Sequence, residues 1–234
     1  MRALTFDRSL GRADFGDFET RFRTEWLATN GLGGYAAGTV IGSHTGRYHG
    51  LLVAALRPPL GRTLMVAKID AVARYGSEDY PLFANEFASG SVDPEGYRCL
   101  ESFHLEGLIP VWIYALADAR LERRISMAHG QNTTYVSYTL TRGTSPIELT
   151  LKPLCTYRDH HSHTRGGWSL QVEPVPGGFE VKAFEGAQPY RVTECRENSR
   201  GWICCGARPC NKAVHPYNRS VVPALAFGSM VMYD

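Results

Sequence analysis

The chain has 234 residues, of which 44% are hydrophobic and 21% charged, and its formal net charge is +2. That balance belongs to a globular chain long enough to bury a core. The near-neutral charge with scattered basic residues argues against nucleic acid or an anionic membrane as partner, and no apolar run is long enough for a transmembrane helix.

Met1 to Gly11 carries Arg2, Asp7 and Arg8 without an apolar h-region, so it does not read as a signal peptide. A cytoplasmic location is the default expectation, with the six cysteines held as reduced thiols. Residues 1–17 read as a polar leader with one short strand, and Phe18 to Leu27 as a strand or a short helical turn.

The stretch from Glu25 to Leu52, EWLATNGLGGYAAGTVIGSHTGRYHGLL, organises the rest. Its seven glycines are too dense for a helix, where each costs about 1 kcal/mol relative to Ala. They mark turns, bulges and close backbone approach. The pattern reads as strand, polar tip, strand, with Ser43 to His49 at the tip. Gly31-x-Gly33-x-x-Ala36 formally fits a dinucleotide fingerprint. Gly38 and Gly42 spoil the helix it needs, and Leu51 to Leu56 holds no acid for the ribose.

Downstream, Arg57 to Gly61 is a turn, and Thr63 to Tyr75 is an extended apolar run. Gly76 to Gly96 is a long punctuated loop, expected to carry short strands or to contribute to a surface. Then come successive β-rich runs: Arg98 to Leu105, Val111 to Leu116, Arg120 to Met127, Thr134 to Arg142 and Ile147 to Thr156. In the third, Leu121, Ile125 and Met127 share one face, with Glu122 and Arg124 on the other. In the fourth, Val136, Tyr138 and Leu140 alternate with Tyr135, Ser137 and Thr139. Period-two alternation with turns every 8–12 residues or so predicts an all-β, antiparallel sandwich with little helix. Pro174 to Gly178 is a turn, and Phe179 to Phe184 and Pro189 to Thr193 are the last regular strands expected.

Residues 195–234 form an atypical Cys-rich tail, with Cys195, Cys204, Cys205 and Cys210. One reading is a metal or redox site; the other is that translation has left the ancestral frame and cut short a longer gene. The second is favoured, because Cys204 and Cys205 are adjacent and no C-x2-C pair offers zinc spacing.

Arg47-Tyr48-His49-Gly50 is the best functional candidate. A guanidinium, a phenol and an imidazole on one tip can hydrogen-bond sugar hydroxyls and stack on a pyranose. The plainer alternative, set ahead of it, is that these groups tie the tip to neighbouring loops or to another domain. Trp26 and Asn30 carry the same ambiguity: an exposed Trp26 would favour sugar stacking, a buried one the core. Tyr157 to His163, including Asp159, His160, His161 and His163, is a second dense polar segment. It is expected to be a rim loop rather than a metal site, and no cofactor is implied. Glycoside hydrolysis needs two carboxylates about 5–9.5 Å apart. Glu25, Glu101, Glu106 and Asp159 are available, yet nothing pairs them, so no catalytic residue is assigned. Cys99 and Cys155, inside strand-like runs, read as small apolar packing residues.

The segments TNGLGGYAAGTVIGSHTGRYHGLLVAA, PPLGRTLMVAKID, LEGLIPVWIYALADARLERRISMAHGQNTTYVSYTL and PLCTYRDHHSHT, in this order, resemble the N-terminal domain of the bacterial and archaeal type of glycogen debranching enzyme (amylo-α-1,6-glucosidase). The resemblance runs from about Phe15 to Val192. It implies a β-supersandwich, similar to glucoamylase-type N-terminal domains, over residues 18–194. It also implies a separate (α/α)6-barrel holding the catalytic acids, which this chain ends before reaching. A non-catalytic role follows, with α-glucan and the barrel domain as partners and Trp26, Asn30, Arg47, Tyr48, His49, Asp159, His160 and His161 as contact candidates. The rival is a stand-alone α-glucan-binding module, for which Trp26, Tyr35, Tyr48, Trp112 and Trp168 would have to be exposed on one face.

Overall fold

The computed structural model describes residues 9–16, 22–163, 169–197, 200–206 and 230–232. Its strands form two large sheets and one separate two-stranded sheet (Ala84–Glu86 with Val92–Glu95), and every pairing among them is antiparallel. In chain order they are β1 (Leu10–Gly11), β2 (Glu25–Thr29), β3 (Tyr35–Thr39), β4 (Gly50–Arg57), β5 (Leu60–Tyr75), β6 (Glu78–Pro81), β7 (Ala84–Glu86), β8 (Val92–Glu95) and β9 (Leu100–Glu106). They continue with β10 (Ile109–Leu116), β11 (Ala119–Met127), β12 (Thr133–Arg142), β13 (Ile147–Asp159), β14 (Gln171–Val175), β15 (Gly178–Lys182), β16 (Tyr190–Glu197), β17 (Arg200–Gly206) and β18 (Met230–Met232). The chain is all-β, with two short 3-10 turns at Asp14–Gly16 and Gly96–Cys99.

The nine-stranded sheet runs β1-β9-β10-β11-β12-β17-β16-β15-β14, and the seven-stranded sheet runs β18-β13-β5-β4-β3-β2, with β6 on β5. The sheets face each other across one apolar core. Trp112, Leu121, Ile125, Val136 and Tyr138 enter it from one side, and Trp26, Leu52, Ala54, Met65 and Leu149 from the other. The alternation expected in β11 and β12 is present, since Leu121, Ile125, Val136, Tyr138 and Leu140 are all buried. Their neighbours Arg120, Glu122 and Arg124 point outward: Arg120 pairs with Glu101, and Arg124 pairs with both Glu106 and Glu122, which leaves that face polar. Exposed pairs of this kind contribute about 0–1 kcal/mol each.

Strand pairing continues past the expected limit of 193–194. β16 runs to Glu197, and β17 fits between β16 and β12. The sequence reading missed this because Cys, Gly and Trp here do not alternate polar with apolar; β17 is a central strand and is covered on both faces. Cys205 joins the main core, whereas Cys204 packs with Ala128 and Tyr135 in a separate cluster. Successive strand residues point to opposite faces, so these two thiols do not face one another. Pro174 lies within β14 rather than in a turn. β14 is an edge strand, where a missing N–H is tolerated. Cys210 and Trp168 lie outside the described residues. Among the described residues, no helix is long and apolar enough to cross a membrane.

Two side chains stitch the sheets through main-chain groups. Trp112 Nε1 on β10 donates to Val40 O at 2.7 Å, and its ring meets Trp26 edge-on at 5.4 Å between centroids. Asn132, in the turn between β11 and β12, imitates a strand: its Nδ2 donates to Ala55 O at 2.7 Å and its Oδ1 accepts from Ala55 N at 3.0 Å. Asn30 completes the second stitch. Its Nδ2 donates to Gln131 O and Asn132 Oδ1, and its Oδ1 accepts from Leu32 N and Gly34 N. A Cβ at Gly34 would lie 2.5 Å from Asn30 Nδ2, so only glycine leaves room for this junction.

Asn30→Ala strands several buried polar groups at once, each costing about 1–3 kcal/mol. The expected loss in urea unfolding is at least about 2 kcal/mol, with a fall in Tm of roughly 4–8 °C for a chain of this size. A loss below about 0.5 kcal/mol would contradict this account of the junction.

Candidate functional site

β3 ends at Thr39 and β4 begins at Gly50, and the ten residues between make the tip. Its root is fixed from inside: Trp26 Nε1 donates to Thr39 O, and Thr39 Oγ1 donates to Ser43 O. Its far side is fixed by His49, which is buried. His49 Nδ1 accepts from Gly46 N at 3.1 Å, so Nε2 carries the proton and donates to Glu25 Oε1 at 2.9 Å. The chain then re-enters the sheet at Gly50, where a Cβ would lie 2.2 Å from Leu64 Cδ1.

The segment after β13 comes to the same place. The register of β5 with β13 puts Arg158 opposite Leu64 and Asp159 opposite Thr63, which in turn pair with Val53 and Ala54 in the middle of β4. Arg158 then acts as a clamp. Its Nη1 donates to the carbonyls of Asp159, His160 and Ser162, and its Nη2 to Arg47 O at 2.9 Å. Arg47 returns the contact through Nη1 to His161 O and Nη2 to His163 Nε2 at 2.8 Å. An arginine cannot accept, so the Arg47 bond needs His163 Nε2 unprotonated.

Aromatic rings cover this clamp. Tyr48 OH lies 3.3 Å from His161 Nδ1, the His160 and His161 rings are 3.8 Å apart, and Tyr48 packs against both. Below them Tyr35 OH donates to Tyr48 O, and His160 N donates to Arg62 O. Burial, and then its neighbour His161, hold the His160 pKa below the ordinary histidine value. Burial also raises the Tyr35 pKa, against the opposing pull of Arg62 and Arg158. The rim is cationic, with Arg47, Arg62 and Arg158 around it. Asp159 accepts His161 N and Glu25 accepts His49, so both nearby carboxylates are already engaged.

The candidates from sequence therefore divide. Arg47, Tyr48, Asp159, His160 and His161 meet in one surface cluster. Trp26 is 8% exposed and belongs to the core, Asn30 is fully buried with its amide filled, and His49 braces the tip from within. Of the five aromatic candidates, Trp26 and Trp112 are buried, Tyr35 lies under Tyr48, and Trp168 lies outside the described residues; Tyr48 is 48% exposed. Arg62 and Arg158 complete the cluster without having been singled out individually as contacts, and Tyr35, named only among the aromatics of a binding module, lies beneath it. Arg158 stood inside the quoted segment, but its role depends on strand register and has no local signal. Among the described residues, no group of three metal-ligating side chains is assembled.

A family model described as "Glycogen debranching enzyme N terminal" matches residues 24–201. The chain belongs to the glycogen debranching enzyme N-terminal family. No curated protein and no solved structure gives a match. The matched span opens at the start of β2, contains the tip and the 159–163 segment, and closes inside β17. The family match thus extends past Thr193, where the resemblance had been expected to fade.

In this debranching-enzyme domain the tip root has a pH dependence. Burial first, and then the neighbouring His49, Lys68 and Arg123, push the His44 pKa down to about 3. Above about pH 6.5 the ring is neutral in both folded and unfolded chains. Below that, the unfolded chain takes up a proton that the folded chain refuses, so stability falls by up to about 1.4 kcal/mol per pH unit until about pH 3. Urea unfolding should show a loss of up to about 2 kcal/mol between pH 7.5 and pH 5, and His44→Gln should shrink it. An equal loss in both proteins would contradict the assignment.

Proposed function

We propose that this chain is the non-catalytic N-terminal domain of a glycogen debranching enzyme, supporting hydrolysis of α-1,6 branches by a barrel domain. Its rim, built from the tip and from residues 159–163, is the surface that helps shape the mouth of the α-glucan site. The family match supports the first part. The meeting of two segments more than a hundred residues apart in one exposed polar cluster carries the second. Main-chain carbonyls and the His163 ring consume Arg47 and Arg158, so they position the rim. Tyr48, His161 and the exposed edge of the segment are left to meet a sugar or the barrel. The domain has no catalytic residue of its own and acts in the cytoplasm.

The test is glucose release from a branched limit dextrin. The chain alone is expected to release none, and release at an enzyme's rate would contradict the reading. A second reading, a stand-alone α-glucan-binding module, is favoured by the half-exposed Tyr48 beside His161. Electrophoresis through glycogen gels tests it. Retardation relieved by maltooligosaccharide, and weakened about 5- to 30-fold in affinity by Tyr48→Ala, would establish the module. Unchanged mobility would remove it.

A further inference from the structure

Arg123 faces inward on β11 between Leu121 and Ile125, where the strand pattern calls for an apolar residue, and it is 8% exposed. Its guanidinium lies over the Trp112 ring, 4.9 Å from the ring centroid, with Tyr114, Tyr138 and Asp70 as its polar neighbours. Arg123 Nε has no hydrogen-bond partner. An unsatisfied donor on a buried cation is costly and calls for an acceptor. Beside it is a cavity of about 20 Å³, large enough for one water-sized occupant. Its wall includes Trp26, Thr39, His44, Lys68 and Trp112 together with Arg123.

We propose that this cavity is a binding site for one small monovalent anion of halide chemistry. Its wall is rich in donors and, among the described residues, holds no carboxylate. Lys68 is already occupied: its Nζ forms an ion pair with Asp70 Oδ1 at 2.8 Å and donates to Ala84 O at 3.3 Å and to Asn85 Oδ1. The indoles are also occupied, with Thr39 O and Val40 O as acceptors. Arg123 Nε is the donor left over. Two cations, Lys68 and Arg123, share one carboxylate, Asp70, which leaves a net positive charge between the sheets. An acceptor that carries a negative charge satisfies both the donor and the charge, whereas a water molecule satisfies only the donor. Gly42 and His44 form part of the same wall, so the bound anion braces the root of the tip from inside. The site does not depend on what the rim contacts, and it stands or falls separately from the glucan reading.

Two measurements on the full chain test it. Thermal unfolding is followed in sodium chloride and in sodium gluconate at equal ionic strength, and crystals soaked in sodium bromide are read by anomalous scattering. The expected results are a Tm that rises by roughly 3–6 °C per tenfold increase in chloride once the site is filling, and a bromide peak within hydrogen-bond reach of Arg123 Nε. Arg123→Met should abolish both, while the surface change Arg74→Ala keeps them. Equal Tm values in the two salts, or a water without bromide in the cavity, would overturn the proposal. If Arg123→Met does not fold, the bromide map of the unaltered chain decides.

Discussion

The fold turns on the edge-to-face contact of Trp26 with Trp112. One ring comes from each sheet, and each indole N–H ends on a carbonyl at the end of β3 or just beyond it: Thr39 O for Trp26 and Val40 O for Trp112. The contact closes the core, since a buried Trp of this kind is worth about 3–5 kcal/mol against Ala. It also fixes where the chain leaves the sheet. The tip begins at that point, so its direction is set from the interior. Polar groups at the surface then need only hold it down.

That arrangement explains the division of labour among the glycine-rich stretch and its partners. Gly34 leaves space for the Asn30 amide just before β3, and Gly50 leaves space for Leu64 at the foot of the tip, so neighbouring strands approach closely at both ends. Arg62 Nε reaches Gly33 O, and Arg158 reaches Arg47 O, tying three loops from distant parts of the chain to one corner. The arginines spend their donors on carbonyls and on the His163 ring, leaving the Tyr48 and His161 rings exposed. A rim of this kind is suited to a neutral polyol, which hydrogen-bonds and stacks, better than to a highly charged ligand.

Much of this was legible in the sequence. The alternation in β11 and β12, the turn at Arg57 to Gly61 and the glycine-dense tip all declared a sandwich, because each is a local signal with a period of two or a turn composition. The two polar segments were also visible. Their meeting was not, since it depends on the bulged register of β13 against β5. Trp26 and Asn30 stayed ambiguous in the sequence, because a tryptophan stacked on a sugar and one buried in a core have the same letter. β17 was missed because a central strand need not alternate, and Arg123 because a lone cation on an apolar face reads as noise beside Leu121 and Ile125.

The central claim is that the tip and the segment after β13 form one unit, held by Arg158. Hydrogen–deuterium exchange on Arg158→Met measures this most directly. The account predicts that amides 43–49 and 159–163 lose protection together by a similar factor, while β5 and β12 keep theirs. Loss confined to 159–163, with the tip unchanged, would contradict it.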